Sequence, residues 1–348
     1  MTDTFRLQMP RGRVTWRAAF AFAAVTSSFL TSLFLARPAF AETFPLSDGQ
    51  AMVGASGSYV TNAKDTLLDV ARDNDLGYGQ IMAVNDRDLD PWRPGDGRTV
   101  ILPNLFLLPD GPRQGIVIDL AAQRLYYFPK DGKTVQTYPI GTGAEAGMTP
   151  RGTTKVVGKV ANPVWYVPKS IRKEQPDLPG LVRPGPDNPL GAYAFRLGWP
   201  SYLIHGTNKP DGIGRNVSHG CIHLYPEDIE TLFKEVRVGT PVRVVDDEMR
   251  FAWVDGTLYL ALGPTHAQIS EISENQKVTP SVPENLQARV AQAAGDQVGR
   301  IDWKLVAELG IKRPGMPVAI TTGDPIAPPV PEDAPPVADA TVSAANTP

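Results

Sequence analysis

A mainly β central domain with short helices, a small βααβ module before it and a small α+β domain after it are predicted for this 348-residue chain. Between Gly115 and Asp246 the sequence runs through short β-rich segments separated by glycine and proline. Between residues 57 and 108, two short helical patterns are bracketed by strand-like runs. From residue 250 to 322, a hairpin with Asp255-Gly256 at its turn precedes two further helical patterns. The length accommodates two or three folded domains. A net charge of −3 gives no bulk attraction to nucleic acid or anionic membranes.

Residues 1–41 read as an export signal. Arg6, Arg11, Arg13 and Arg17 precede an apolar run from Ala18 to Ala36, and Ala39-Phe40-Ala41 is a small-x-small cleavage site before Glu42. The competing reading is an uncleaved anchor. Both place the remainder outside the cytoplasm, and export to the periplasm is expected. Glu42 to Ser58 reads as a lead-in. In the module, Asp65-Thr66 caps a helix with Leu67, Leu68, Val70 and Ala71 on its apolar face. A second helix is expected over Tyr78 to Val84, then a turn at Pro94-Gly95-Asp96 and a strand over Thr99 to Pro103.

The central domain opens on a hairpin, GIVIDL and RLYYF, joined by Ala121-Ala122-Gln123. Strands are expected over Val135 to Ile140, Thr153 to Val160 and Val164 to Val167. A short helix is expected near Ile171 to Gln175, followed by a long proline-rich loop from Pro176 to Pro189, a length typical of functional lids. Ala192 to Leu197 and Tyr202 to Ile204 are strands leading to the most informative stretch. Beyond it, Pro226 begins a helix with Glu227 and Asp228 in its first turn, and Pro241 to Val245 is a closing strand. In the C-terminal domain, helices are expected over Asn285 to Ala294 and over Trp303 to Leu309, the second capped by Asp302 and ended by Gly310. Residues 324–348 are Pro/Ala-rich with few large apolar side chains and read as disordered.

Ile204 to Phe233 holds the single cysteine, Cys221, and three of the four histidines, His205, His219 and His223. No internal disulfide is possible, and an odd cysteine in an exported chain suggests a reactive thiol. Three arrangements compete. In a cysteine acyltransferase, Cys221 attacks a carbonyl, His205 takes its proton, and backbone N–H groups near Gly220 hold the oxyanion. In a zinc site, His219, Cys221 and His223 alternate along a strand, but neighbours about 7 Å apart cannot share one ion unless the chain turns at Gly220. In the third, Cys221 is a buried, inert thiol beside satisfied histidines. The clustering of His-Gly and Ser-His-Gly-Cys favours the first. A non-catalytic wall-binding protein and a zinc hydrolase remain as rivals.

Two resemblances join this reading. Asp65-Thr66-Leu67, Val70-Ala71, Ile81, Asn85, Pro94-Gly95-Asp96 and Ile101-Leu102-Pro103 resemble a LysM module, which binds glycan backbones; Lys64 stands where that module usually has glycine. Met148-Thr149-Pro150-Arg151-Gly152, Ile204-His205-Gly206 and Ser218-His219-Gly220-Cys221-Ile222 resemble the L,D-transpeptidase (YkuD) catalytic domain over residues 115–246. This implies a β-sandwich with short helices, no cofactor and no metal. It also implies peptidoglycan stem peptides and glycan strands as partners, with diaminopimelate, a lysine of an outer-membrane protein or lipoprotein, or water as acyl acceptor. Water would make the enzyme an L,D-carboxypeptidase.

The resemblance makes Cys221 the nucleophile and His205 the general base. The Gly206 carbonyl would orient the His205 ring, and His219 and Gly220 would shape the oxyanion site. His223, Arg215, Lys209, Thr149 and Arg151 are candidates for contacting an acidic stem. His223 occupies a position where relatives usually carry arginine or asparagine. If it replaces arginine on a stem carboxylate, binding should weaken as the pH rises past the ordinary imidazole range.

Overall fold

The computed structural model describes residues 42–85, 88–144 and 149–323; the expected signal segment, Met148 and the C-terminal tail lie outside the described residues. The lead-in begins with a strand. β1 (Glu42–Pro45) pairs antiparallel with Thr134–Pro139 of the central domain, Glu42 opposite Thr137. β2 (Met52–Gly54) and β3 (Gly57–Val60) follow, then α1 (Leu67–Asp73), α2 (Tyr78–Val84), β4 (Thr99–Leu102) and β5 (Leu105–Leu107). β3 pairs with β4, and β2 with β5, both antiparallel. Thr66 caps α1, its hydroxyl accepting the Asp69 N–H at 3.0 Å, and Leu67, Leu68, Val70 and Ala71 are buried.

The central domain begins with the meander β6 (Gly115–Asp119), β7 (Arg124–Phe128) and β8 (Thr134–Pro139). β9 (Thr142–Gly143), β10 (Gly152–Ala161), β11 (Trp165–Tyr166), α3 (Lys169–Glu174) and β12 (Leu181–Val182) come next. Then follow β13 (Tyr193–Leu197), β14 (Leu203–His205), β15 (Asn216–Ser218), β16 (Ile222–His223), α4 (Pro226–Glu235) and β17 (Pro241–Val245). Nine strands form one sheet in the order β1-β8-β7-β6-β17-β10-β13-β14-β16. β10 belongs to both halves. Gly152–Lys155 pairs with β17 and Val156–Ala161 with β13, the register shifting between Val156 and Gly158. Such an irregularity bends a strand and lets the sheet fold over its own core. That core joins Ile116, Ile118 and Tyr138 of one half to Phe195, Ile204 and Ile222 of the other, with Leu232 of α4.

Every residue of β6 and β7 is buried. Their second face, Val117, Tyr126 and Phe128, packs into the module's core beside Leu67, Ile81 and Phe106. Arg124 is fully buried at this junction. It donates to the Asp75 carboxylate at 2.8 Å, to the Asp75 carbonyl at 2.9 Å and to Thr137 Oγ1 at 2.7 Å, over the ring of Phe106. The module and the central domain therefore share one packed interior.

The C-terminal domain is β18 (Met249–Val254), β19 (Thr257–Leu262), α5 (His266–Asn275), α6 (Leu286–Ala294), α7 (Trp303–Lys312) and β20 (Pro317–Ala319), with sheet order β18-β19-β20. Two features depart from expectation. α5 was not anticipated: Thr265 and Gln268 form a capping box, but only Ile269 and Ile272 supply an apolar face. α7 does not stop at Gly310. It runs on to Lys312, with Arg313 as its left-handed cap. A Cβ on Gly310 would lie 2.7 Å from Leu286 Cδ2, so this glycine admits α6 rather than ending α7.

Candidate active site

β14 and β16 lie side by side and parallel at the end of the large sheet, Ile204 opposite Ile222 and His205 opposite His223. The loop joining them is pinned midway, where β15 pairs in parallel with β9. The chain then turns at Gly220, whose φ of +103° is a conformation that side-chain-bearing residues rarely adopt. Cys221 follows at once and leads into β16. Three bonds hold this turn. Ser218 Oγ donates to the Cys221 carbonyl at 2.6 Å and accepts the Gly220 N–H at 3.1 Å; Thr149 Oγ1 donates to the Gly220 carbonyl at 3.0 Å.

His205 Nδ1 lies 2.5 Å from the Gly206 carbonyl. A carbonyl only accepts, so Nδ1 carries the proton and Nε2 is left as the basic nitrogen. The ring is buried and stacks on His223, centroids 6.1 Å apart. Burial, then the nearby His223, pushes its pKa down to about 3. Cys221 is half-buried, its thiol 3.7 Å from the Ser201 carbonyl. Burial raises its pKa, partly offset by the Leu203 N–H. Both shifts favour the uncharged form, so the resting pair is thiol and imidazole rather than thiolate and imidazolium.

The family described as YkuD, L,D-transpeptidase catalytic domain, matches residues 113–244. Probable L,D-transpeptidase YcfS of Escherichia coli (strain K12) is 35% identical over 316 residues, covering 88% of this chain and 94% of that protein. Probable L,D-transpeptidase YbiS of the same strain is 37% identical over 295 residues, covering 80% and 92%. The chain belongs to the L,D-transpeptidase family. The solved catalytic domain of the Enterococcus faecium L,D-transpeptidase is 26% identical, with a TM-score of 0.31, covering 39% of this chain and all of that one.

In this L,D-transpeptidase the remaining candidates are divided among different environments. His219 is exposed and turns outward, its Nε2 3.0 Å from Glu174 of α3. The Gly220 N–H already has Ser218 Oγ as partner. His223 is buried, its Nε2–H donating to the Gly212 carbonyl at 3.3 Å, and burial pushes its pKa down to about 4. It therefore sits uncharged against His205 and offers no cation to a stem carboxylate, contrary to the expectation drawn from its position.

Arg215 is also turned inward. Its guanidinium lies 3.8 Å over the Tyr78 ring and donates to the Ser273 carbonyl at 3.3 Å. Thr149 is buried behind Gly220. Lys209 and Arg151 are exposed, and Arg151 pairs loosely with Asp246 at 3.5 Å. Of the zinc candidates, the rings of His219 and His223 point to Glu174 and Gly212, so the alternating residues do not converge on one point.

Asn216 was missed by the sequence reading. Its side chain accepts from Thr142 Oγ1 at 2.9 Å and donates to the His266 carbonyl at 2.9 Å, tying the catalytic loop to α5. Its neighbour Ser218 lay within the recognised motif, yet only the fold reveals it as a brace. Nothing local could have disclosed His266, whose Nε2–H donates to the Gly143 carbonyl from a separate domain. Gly214 meets the module: a Cβ there would lie 2.3 Å from the Tyr78 nitrogen. The Ile213 and Gly214 carbonyls accept the Tyr78 and Gly79 N–H groups, both at 3.0 Å.

Proposed function

We propose that this protein is a periplasmic L,D-transpeptidase that acts on peptidoglycan tetrapeptide stems through a thioester on Cys221. The observation that carries this reading is the tautomer of His205, which leaves Nε2 as the basic nitrogen on the strand beside β16, the strand that directly follows the only cysteine. Sγ attacks the carbonyl of the bond before the terminal D-alanine while Nε2 takes the thiol proton. That proton passes to the departing D-alanine amine. Backbone N–H groups of the His219–Cys221 turn hold the oxyanion, the Gly220 N–H exchanging Ser218 Oγ for the developing charge. An acceptor amine then attacks the thioester, the C–N bond forms and the C–S bond breaks. Its proton returns to sulfur through His205.

The N-terminal basic, apolar and small-x-small pattern supports export. The LysM resemblance, with Trp92 exposed on the loop before β4, supports glycan contact by the module. Incubation with a disaccharide-tetrapeptide tests the reading by mass spectrometry. The expected adduct on Cys221 is the stem less D-alanine. It should be absent in Cys221→Ala and should form about 10²–10⁴-fold more slowly in His205→Ala. No adduct on the wild type would overturn the reading. Muropeptides from cells with and without the gene identify the acceptor: 3–3 dimers, protein-linked stems, or tripeptides if water competes.

A further inference from the structure

Where the module packs on the central sheet, two buried carboxylates meet one buried guanidinium. Asp75 follows α1, and Asp228 lies in the first turn of α4, 3% exposed. Arg124 of β7 binds Asp75 at 2.8 Å. Among the described residues nothing donates to Asp228 Oδ2, which is buried. The cations acting on Asp228 are Arg124 and Arg72, and Arg72 is partly exposed and spent on Glu227 at 2.7 and 2.8 Å. The other groups packed here are acids: Glu42 of β1, Glu227 and Glu235 of α4, and the phenols of Tyr138 and Tyr225, which burial and then the Asp228 charge hold in their neutral form. Burial likewise pushes both carboxyls up, and the nearby Asp75 raises Asp228 further.

β1 brings one more group to this place. Glu42 lies opposite Thr137, whose Oγ1 accepts from the same Arg124 Nη2 that reaches Asp75. The Glu42 backbone N–H donates to the Asp75 carboxylate. That nitrogen is also the one released when the small-x-small site Ala39-Phe40-Ala41 is cut before Glu42. The sequence signal and the buried carboxylates thus converge on one atom. We propose that the bond between Ala41 and Glu42 is hydrolysed during export and that the resulting Glu42 α-ammonium is the second cation of this cluster, seated on the Asp75 carboxylate. This rests on the export reading above and goes beyond it, because the cut end becomes part of the junction between module and sheet. A signal-type peptidase and one water supply the step. The C–N bond breaks, the water oxygen goes to the Ala41 carboxylate, and both water protons go to the Glu42 nitrogen. One donor becomes three, and a neutral amide becomes a positive charge that offsets the second carboxylate. Phe44 and Leu46, packed against the module's core, hold the strand in place.

The full chain is expressed in a bacterium that exports it, and the mass of the purified protein should show that it begins at Glu42. This form is then compared with one carrying an extra glycine ahead of Glu42, which moves the ammonium outward and restores an amide at Glu42. By NMR of the isotope-labelled amine, the Glu42 form should titrate at about pH 9 or above, and the extended form in the ordinary α-amino range of ~7.7–8.0. In urea at about pH 7 the extension should lower the folding constant about tenfold, and the gap should close at about pH 10. An amine raised in this way stabilises the fold below its unfolded pKa and loses that contribution as the pH passes its folded value. A gap that persists at about pH 10 marks a steric effect and overturns the inference. So does an ordinary amine in the Glu42 form, or an exported chain that begins elsewhere; the export and transpeptidase readings survive these results. A chain retained in the cytoplasm overturns the export reading and the inference with it.

Discussion

On the proposed mechanism, the protonation states of two side chains set the reaction's pH range. His205 titrates far below an ordinary imidazole, so it stays basic down to about pH 3, and the Cys221 thiol is pushed above its ordinary range. The kcat/KM for D-alanine release should therefore show no loss between pH 7 and pH 5, because the free enzyme's base remains unprotonated there. Alkylation of Cys221 by iodoacetamide should still be accelerating at about pH 9. An acid limb near pH 6.5 would place His205 in water and contradict its burial. His223 bears a second prediction. A Cβ on Gly141 would lie 2.1 Å from His223 Nε2, so no room exists for a longer cation. His223→Arg should lower stability by about 1–3 kcal/mol through overpacking, with further loss from burying charge, and should slow acylation rather than tighten substrate binding. Chemical denaturation and adduct formation measure the two effects. Cys221 and His205 fall in one short stretch, which is why the sequence pairs them, and β14 lies beside the strand that follows Cys221. The surroundings of His223 come from Gly141 and Gly212, on separate loops, and were not legible.

Individual elements were legible where pattern and capping agree. α1 with its Thr66 cap and α4 with Pro226 at its start follow the expected chemistry. The failures have local causes. α5 is mostly polar and buries only Gln268, Ile269 and Ile272, so its periodicity is weak. Glu42–Pro45 has the length of an edge strand but gains its pairing only from β8. Gly310 was read as a stop because glycine is common just past helix ends, whereas here it makes room for Leu286. Gly310→Ala is therefore expected to destabilise by about 1–2 kcal/mol, overpacking outweighing the ~1 kcal/mol gain in helix propensity. A higher melting temperature for this variant would show that Leu286 can yield. At the catalytic loop, Asn216→Ala removes the bond to the His266 carbonyl and the acceptor for Thr142. We expect a loss of about 1–3 kcal/mol and slower thioester formation, since β15 sets the approach to Gly220.

Over the whole molecule, the buried Arg124–Asp75 pair joins the N-terminal module to the central sheet. Arg124→Ala leaves a carboxylate without its partner in a dry interface, a change that costs about 3–5 kcal/mol in comparable cases. Arg124→Met with Asp75→Leu should recover most of that loss. Unfolding in denaturant should remain one transition for the wild type, because the module and the central domain share the faces of β6 and β7. Two separate transitions would mean that the module is a tethered bead. The division into domains is an expectation from composition and pattern; this shared interior is not legible there, because it depends on which side of GIVID and RLYYF is left uncovered.

The contact of Gly214 with Tyr78 gives that interior a spatial meaning. A module on a slack linker would let the cysteine wander over any stem within reach of the linker. On the proposed function, the module surface that would meet a glycan strand and the thiol that would be acylated are parts of one solid body, like the jaw and the scale of a calliper. Along a bound strand, only a stem at one set offset and one rotational phase would come to the sulfur, and its neighbours would be passed over.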